Sequence, residues 1–140
     1  MEAQYALSTL PNSFVTNTDD YCTAIANNNV AMSSFSGNLA ACETAVSGGG
    51  TLSAGRRTLL LPAAGSGNNG VVTLTANLGA AAAGTTCTVV GGGTVPAAGA
   101  DRLYLQGKWT GTDYDDNPTA RATFGTFKGA GEVIFIRENF

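Results

Sequence analysis

Four oxygen-bearing side chains fall close together late in the sequence: Asp113, Asp115, Asp116 and Asn117. Hard cations such as Ca²⁺ bind several carboxylate and amide oxygens at once, so this acidic loop is a candidate calcium site. Its spacing is not that of an EF-hand, and Pro118 follows directly. Asp and Asn before a proline commonly accept hydrogen bonds from backbone amides in turns. We therefore favour a turn and expect no cofactor, with calcium as the alternative.

A second, smaller group of the same kind contains Asn17, Asp19 and Asp20. The same argument favours a turn first and a ligand second. The two acidic segments could share one cation only if the fold brought them together.

The sequence offers little material for catalysis. It contains no histidine, which removes the usual base for a serine or cysteine nucleophile. Its 10 acidic residues are scattered, and none form a visible pair of the kind that a glycosidase holds across a sugar cleft. Its 7 basic residues form no cluster suited to nucleic-acid phosphates. We expect a protein that is not an enzyme and that does not bind nucleic acid.

Three aromatic residues lie close together in sequence: Tyr104, Trp109 and Tyr114. Exposed aromatic rings can form a platform for sugars or proteins. Alternation places Trp109 with Leu103 and Leu105 on an apolar face, which predicts that it is buried. Tyr104 and Tyr114 are therefore the candidate interaction residues, against the alternative that they are ordinary half-buried tyrosines.

The three cysteines, Cys22, Cys42 and Cys87, match no zinc-binding spacing. Disulfide use is favoured over reduced thiols. We prefer a bridge between Cys22 and Cys42, which would close a short loop, and keep Cys87 as the alternative partner.

The composition indicates one exported module. The 140 residues suffice for a single core, and we treat residues 1–140 as one domain. Charged residues make up only 12%, well below the roughly 25% of ordinary soluble domains. No stretch is apolar for long enough to span a membrane, and no leader of basic and then apolar residues begins the sequence. We expect an extracellular or cell-surface location, an export signal outside this sequence, and a longer parent protein that this module ends.

Alternating patterns predict an all-β fold, an antiparallel β-sandwich with glycine-rich turns. The clearest strand is 71–78, where Val72, Leu74, Ala76 and Leu78 share one face. A second is predicted over 102–109. Weaker strands are predicted over residues 2–7, 13–16, 30–35, 58–61 and 86–90, and a further strand is predicted over 120–127.

The last predicted strand, 132–137, is apolar without alternation. Such a strand is covered on both faces. The surface that covers it could belong to this domain's own core, a preceding domain or another subunit. Val133 and Phe135 are therefore candidate interaction residues.

Several motifs succeed one another along the chain: EAQY at 2–5, FVTNTDDYCT at 14–23, LQGKW at 105–109, YDDNPTARATFG at 114–125 and IRENF at 136–140. This succession resembles the C-terminal domain of unknown function in MshQ-like proteins, which are encoded with the mannose-sensitive hemagglutinin type IV pilus system. The resemblance implies surface display or pilus biogenesis and brings no catalytic residues with it. Where some relatives have a more acidic loop, this sequence has Thr110, Gly111 and Thr112.

These observations lead to a hypothesis of function. We expect a non-catalytic structural or interaction module, associated with the pilus or cell surface, whose partners are pilus or surface-protein subunits. Self-assembly with copies of itself through strand pairing is a variant. The alternative is a carbohydrate-binding adhesin module that uses the exposed tyrosines.

Overall fold

The structure, a computed structural model, describes residues 1–6, 14–108 and 110–125. Short strands and two single 3₁₀ turns account for the regular structure of these residues. The strands are β1 (Gln4–Ala6), β2 (Phe14–Thr16), β3 (Ala24–Ile25), β4 (Val30–Ser33), β5 (Gly50–Thr51), β6 (Gly70–Ala76), β7 (Thr85–Cys87), β8 (Thr94–Pro96) and β9 (Thr119–Phe124); the 3₁₀ turns are η1 (Asn27–Asn29) and η2 (Leu103–Leu105).

The main sheet has the order β4-β6-β9, and both pairings are antiparallel. The central strand β6 follows the predicted alternation. Val72 is fully buried, Leu74 and Ala76 pack against the core, and Leu78, just past the strand, is buried. The register places Val72 opposite Ala122 of β9 and Leu74 opposite Met32 of β4.

Three two-stranded sheets surround this sheet: β1-β2, β3-β5 and β7-β8. All of their pairings are antiparallel as well. Apolar side chains of the main sheet, of β3 and β7 and of connecting segments meet in one cluster that includes Ile25, Val30 and Leu52. The prediction of an all-β antiparallel fold with glycine-rich turns is confirmed. Among the described residues, no helix is long and apolar enough to cross a membrane.

Two of the predicted strands are not strands. Residues 58–61 contribute only a bridge between Leu60 and Ser47. Residues 103–105 form η2 because the Leu105 amide donates to the Arg102 carbonyl at 2.9 Å and the Gln106 amide donates to the Leu103 carbonyl at 3.0 Å. Leu103 is consequently exposed and not part of an apolar face.

The disulfide joins Cys42 to Cys87, with 45 residues of sequence separation, and Cys22 is an exposed free thiol. The preferred pairing of Cys22 with Cys42 is therefore wrong, and the Cys87 alternative is the one observed. Cys42 and Cys87 are both buried in the core cluster, whereas Cys22 follows β2 on the surface. The bridge fixes the loop after β4 to strand β7.

Asn77 is the main polar group of the core. Its side chain is 2% exposed, and its Nδ2 donates to the carbonyls of Ala81 and Ala97 at 3.0 and 3.2 Å. These bonds add to the hydrogen bond that the Ala83 amide donates to the same Ala97 carbonyl at 3.0 Å. They hold the segment that contains β7 and β8 against the end of β6.

Candidate binding cleft

A cleft of about 620 Å³ opens where β1 and β2 face η2 and the residues that follow it. We call it the aromatic cleft. Its base is apolar and its rim carries aromatic, polar and charged side chains. The buried base includes Ala3, Ile25, Leu52 and Leu78, and the rim includes Met1, Glu2, Phe14, Tyr104, Gln106, Lys108 and Tyr114.

Tyr104 stands at this rim because η2 turns its side chain away from the core. The tyrosine is 70% exposed. Its hydroxyl is hydrogen bonded to Oγ1 of Thr23, 3.2 Å away, on a residue that is itself buried. The ring is thus anchored at its tip while most of its surface faces solvent.

Tyr114, in the loop 107–116, also lines the cleft and is 73% exposed. Nζ of Lys108 lies 5.8 Å from the centre of its ring, within the range of a cation–π interaction. Phe14, on β2, adds a third exposed ring and is 60% exposed. Three large aromatic side chains with solvent-facing surface therefore line a single cleft.

Gln106 and Asn117 brace the loop that carries Lys108 and Tyr114. Nε2 of Gln106 donates to the Asp115 carbonyl at 2.9 Å and to Oδ1 of Asn117 at 3.2 Å. The same Oδ1 accepts the Leu78 amide at 3.0 Å, which ties the loop to the end of β6. The Asn117 side chain thus links the loop to the end of β6.

Asp116 acts as a turn residue within this loop. It pairs by backbone with Gly107 in both directions, at 2.9 and 3.0 Å. Its carboxylate accepts the amide and the hydroxyl of Thr110 at 2.7 and 2.5 Å. These contacts are those that the turn interpretation expects. Within residues 1–6, 14–108 and 110–125, no three His, Cys, Asp or Glu side chains gather as a metal site would need, and calcium binding stays a prediction.

Asp20 plays a similar part in the smaller acidic segment. Its Oδ1 accepts the backbone amides of Thr23 at 2.9 Å and Cys22 at 3.1 Å. The Thr23 amide contributes most to lowering the pKa of Asp20 below its ordinary value, the Cys22 amide adds to this, and the opposing effect of burial is outweighed. Because this turn carries Thr23, Asp20 indirectly positions the residue that anchors Tyr104.

The N-terminal residues reach the cleft through a backbone ladder. The Met1 amino group donates to the Arg57 carbonyl at 2.7 Å, and the Arg57 amide donates back to the Met1 carbonyl at 3.0 Å. The Ala3 amide donates to the Gly55 carbonyl at 2.8 Å. Gly55 has φ +73°, and a Cβ there would lie 2.2 Å from the Asn17 carbonyl oxygen, so this approach requires glycine.

A comparison with protein families matches residues 1–139 to the fourth domain of DUF6701. The chain belongs to this family. No curated protein and no solved structure matches this chain.

The predicted interaction residues of this DUF6701 domain fall into two groups. Tyr104 and Tyr114 are both exposed and line the same cleft. Val133 and Phe135 lie outside the described residues, as does Trp109. The acidic residues Asp113 and Asp115 are exposed on the loop beside Tyr114.

Other cleft residues of the DUF6701 domain were not predicted from sequence, namely Phe14, Thr23 and Gln106. Phe14 meets the tyrosines only because β2 pairs with β1 next to η2. Phe14 and Tyr104 are about 90 residues apart in sequence and line the same cleft. No local sequence pattern predicts this proximity. An exposed phenylalanine on a short predicted strand was the one available signal.

Proposed function

We propose that this DUF6701 domain is a non-catalytic interaction module of an exported, surface-displayed protein, and that the aromatic cleft is the surface through which it docks onto other parts of its assembly. The observation that carries this proposal is the exposure of Phe14, Tyr104 and Tyr114 around one apolar-based cleft. Tyrosine and other aromatic residues dominate the energetic centres of protein interfaces.

Export is supported by the Cys42–Cys87 bridge, because disulfides persist mainly in oxidising compartments. The resemblance to MshQ-like proteins supports association with a pilus, whose subunits would be the partners. Cys22 provides a test of location, since it is the one thiol left free. In intact cells that make the parent protein, a membrane-impermeant maleimide should label Cys22, as read from the peptide that carries it, and a Cys22→Ser variant should lose the label on that peptide. Labelling only after lysis would contradict display on the surface.

Docking is tested by co-sedimentation of the purified domain with pili from a bacterium that encodes it. The variant Tyr104→Ala/Tyr114→Ala should lose at least about tenfold in affinity, since truncation of a hot-spot tyrosine typically costs more than about 1.4 kcal/mol. Tyr21→Ala is the matched control, because Tyr21 is 63% exposed and does not line the cleft. Equal binding by both variants and the wild type would overturn docking on the pilus through the aromatic cleft.

Self-association through strand pairing is the variant in which the partner is a second copy. Strand β9 is hydrogen bonded to β6 along one side, and among the described strands none pairs with its other side. An unpaired strand edge is a template for another chain. Sedimentation velocity at rising concentration would reveal a dimer or polymer, and a monomer at every concentration would exclude this variant.

Carbohydrate binding is the second candidate function, and one observation favours it. Nζ of Lys108 lies over the ring of Tyr114, so a cationic donor stands next to an exposed aromatic face in the cleft. Sugars bind where a ring packs on an aromatic face and hydroxyls meet polar groups. A glycan array probed with and without calcium tests this function. Binding that the Tyr104→Ala/Tyr114→Ala variant loses would support it, and an array without signal in either condition would rule it out.

A further inference from the structure

We propose that the domain that precedes this one in DUF6701 proteins docks into the aromatic cleft. The inference rests on the proposed docking function and names the part of the assembly that docks. The matching family model describes the fourth domain of a series. Other domains of the same polypeptide are therefore available as partners.

The backbone ladder fixes where a preceding domain would be attached. Residues 1–3 are held by hydrogen bonds to Arg57 and Gly55, between 2.7 and 3.0 Å long. Met1 and Glu2 also line the aromatic cleft. Backbone that leads into residue 1 therefore lies at the rim of the cleft, and the ladder sets its direction.

Attachment at the rim favours the neighbouring domain over free partners. Two surfaces joined by a short linker meet at an effective concentration in the millimolar range, roughly. Even a weak contact is then formed most of the time.

The chemistry of the cleft fits an apolar loop or strand edge from that domain. The base is apolar, and Phe14, Tyr104 and Tyr114 offer ring surface around it. The carboxylate of Glu2 forms an ion pair with Arg56 at 3.5 Å and accepts a hydrogen bond from Thr16, so its charge is compensated at the rim. An apolar partner that docks here therefore does not bury an unpaired Glu2 carboxylate.

Hydrogen–deuterium exchange tests this arrangement. It compares this domain alone with a two-domain fragment that also contains the preceding domain. Amides of residues 1–6 and 103–107 should exchange about tenfold or more slowly in the two-domain fragment, because docking removes local opening. Amides of the β7–β8 hairpin, which does not line the cleft, should exchange equally in both.

Variants of the two-domain fragment make the test specific. Tyr104→Ala/Tyr114→Ala should abolish the added protection, whereas Tyr104→Phe/Tyr114→Phe, which keeps both rings, and Tyr21→Ala should retain it. Equal exchange at 1–6 and 103–107 with and without the preceding domain would overturn the inference.

The outcome is separable from that of pilus docking. If cleft variants lose pilus binding but the preceding domain gives no protection, the cleft docks another partner and this inference alone fails. If the preceding domain protects the cleft while cleft variants bind pili normally, docking on the pilus fails and this inference stands.

Discussion

The hydroxyl of Tyr104 is hydrogen bonded to Oγ1 of the buried Thr23, 3.2 Å away, across 81 residues of sequence. This bond connects the rim of the aromatic cleft to the turn that Asp20 organises. It holds an exposed ring in one position before any partner arrives, and a pre-positioned side chain loses less entropy on binding.

Thr23→Val should lower the free energy of unfolding by at least about 1 kcal/mol, because it removes the hydrogen bond to Tyr104 and the contact of the Thr23 hydroxyl with the Asp20 carboxylate while keeping the shape of the side chain. Tyr104→Phe removes only the bond to Thr23 and should cost about 1 kcal/mol. Urea unfolding of the single and double variants measures the coupling. If the double variant loses the full sum of the two single effects, the bond does not contribute as described.

Loss of the Cys42–Cys87 bridge should cost about 2–5 kcal/mol. The variant Cys42→Ala/Cys87→Ala should therefore melt well below the wild type, and reductant should lower the melting temperature of the wild type but not of this variant. Cys22→Ser is the control and should melt within about 2 °C of the wild type, as expected for an exposed position. A large loss in Cys22→Ser that reductant reproduces would contradict the observed pairing.

The lowered pKa of Asp20 predicts how acid weakens the fold. A carboxyl group whose pKa is lower in the folded than in the unfolded state adds stability above the unfolded pKa, and this stability is lost as pH falls through the folded pKa. Asp20→Ala should cost about 1–3 kcal/mol at neutral pH, since it leaves two amides without their acceptor.

The difference between wild type and Asp20→Ala should shrink below pH 4, approximately, as the wild-type carboxylate is protonated. Chemical unfolding at a series of pH values measures it. Asp19→Ala, at the exposed neighbouring position, should change stability by less than about 0.5 kcal/mol at every pH. A difference for Asp20→Ala that does not change with pH would show that its carboxylate charge is not used.

Asn77→Ala should destabilise the domain by about 1–3 kcal/mol, because it removes the two hydrogen bonds that the buried amide donates to the carbonyls of Ala81 and Ala97. Asn28→Ala, at an exposed position nearby in the fold, should be nearly neutral. Thermal unfolding compares the two. Equal stability of both variants would mean that water replaces the lost donor at no cost.

The sequence predicted the main sheet better than the cleft. The alternation of Val72, Leu74 and Ala76 identifies β6 because a strand with one buried face repeats every two residues. Residues 102–109 alternate in the same way yet contain η2, because Ala100 and Arg102 are hydrogen bonded by backbone to Asn77 and Leu78 and the chain then turns. Tertiary hydrogen bonds outweighed the local pattern there.

The cysteine pairing and the cleft depended on the fold in the same way. Cys42 and Cys87 meet only because the loop after β4 packs against β7, which no spacing along the chain could show. Tyr104 and Tyr114 were predicted as exposed aromatics from their neighbourhood, but their shared cleft with Phe14 requires β2 to lie beside η2.

Footprinting of tyrosine side chains in the assembled parent protein tests most directly whether the aromatic cleft is a docking surface. In the isolated domain, a tyrosine-modifying reagent should react with Tyr104, Tyr114 and Tyr21 alike, since each is more than 60% exposed. On the surface of cells, Tyr104 and Tyr114 should be protected about tenfold while Tyr21 stays reactive, because docking buries the rim of the cleft. Reaction of all three tyrosines at the rates of the isolated domain would contradict the account.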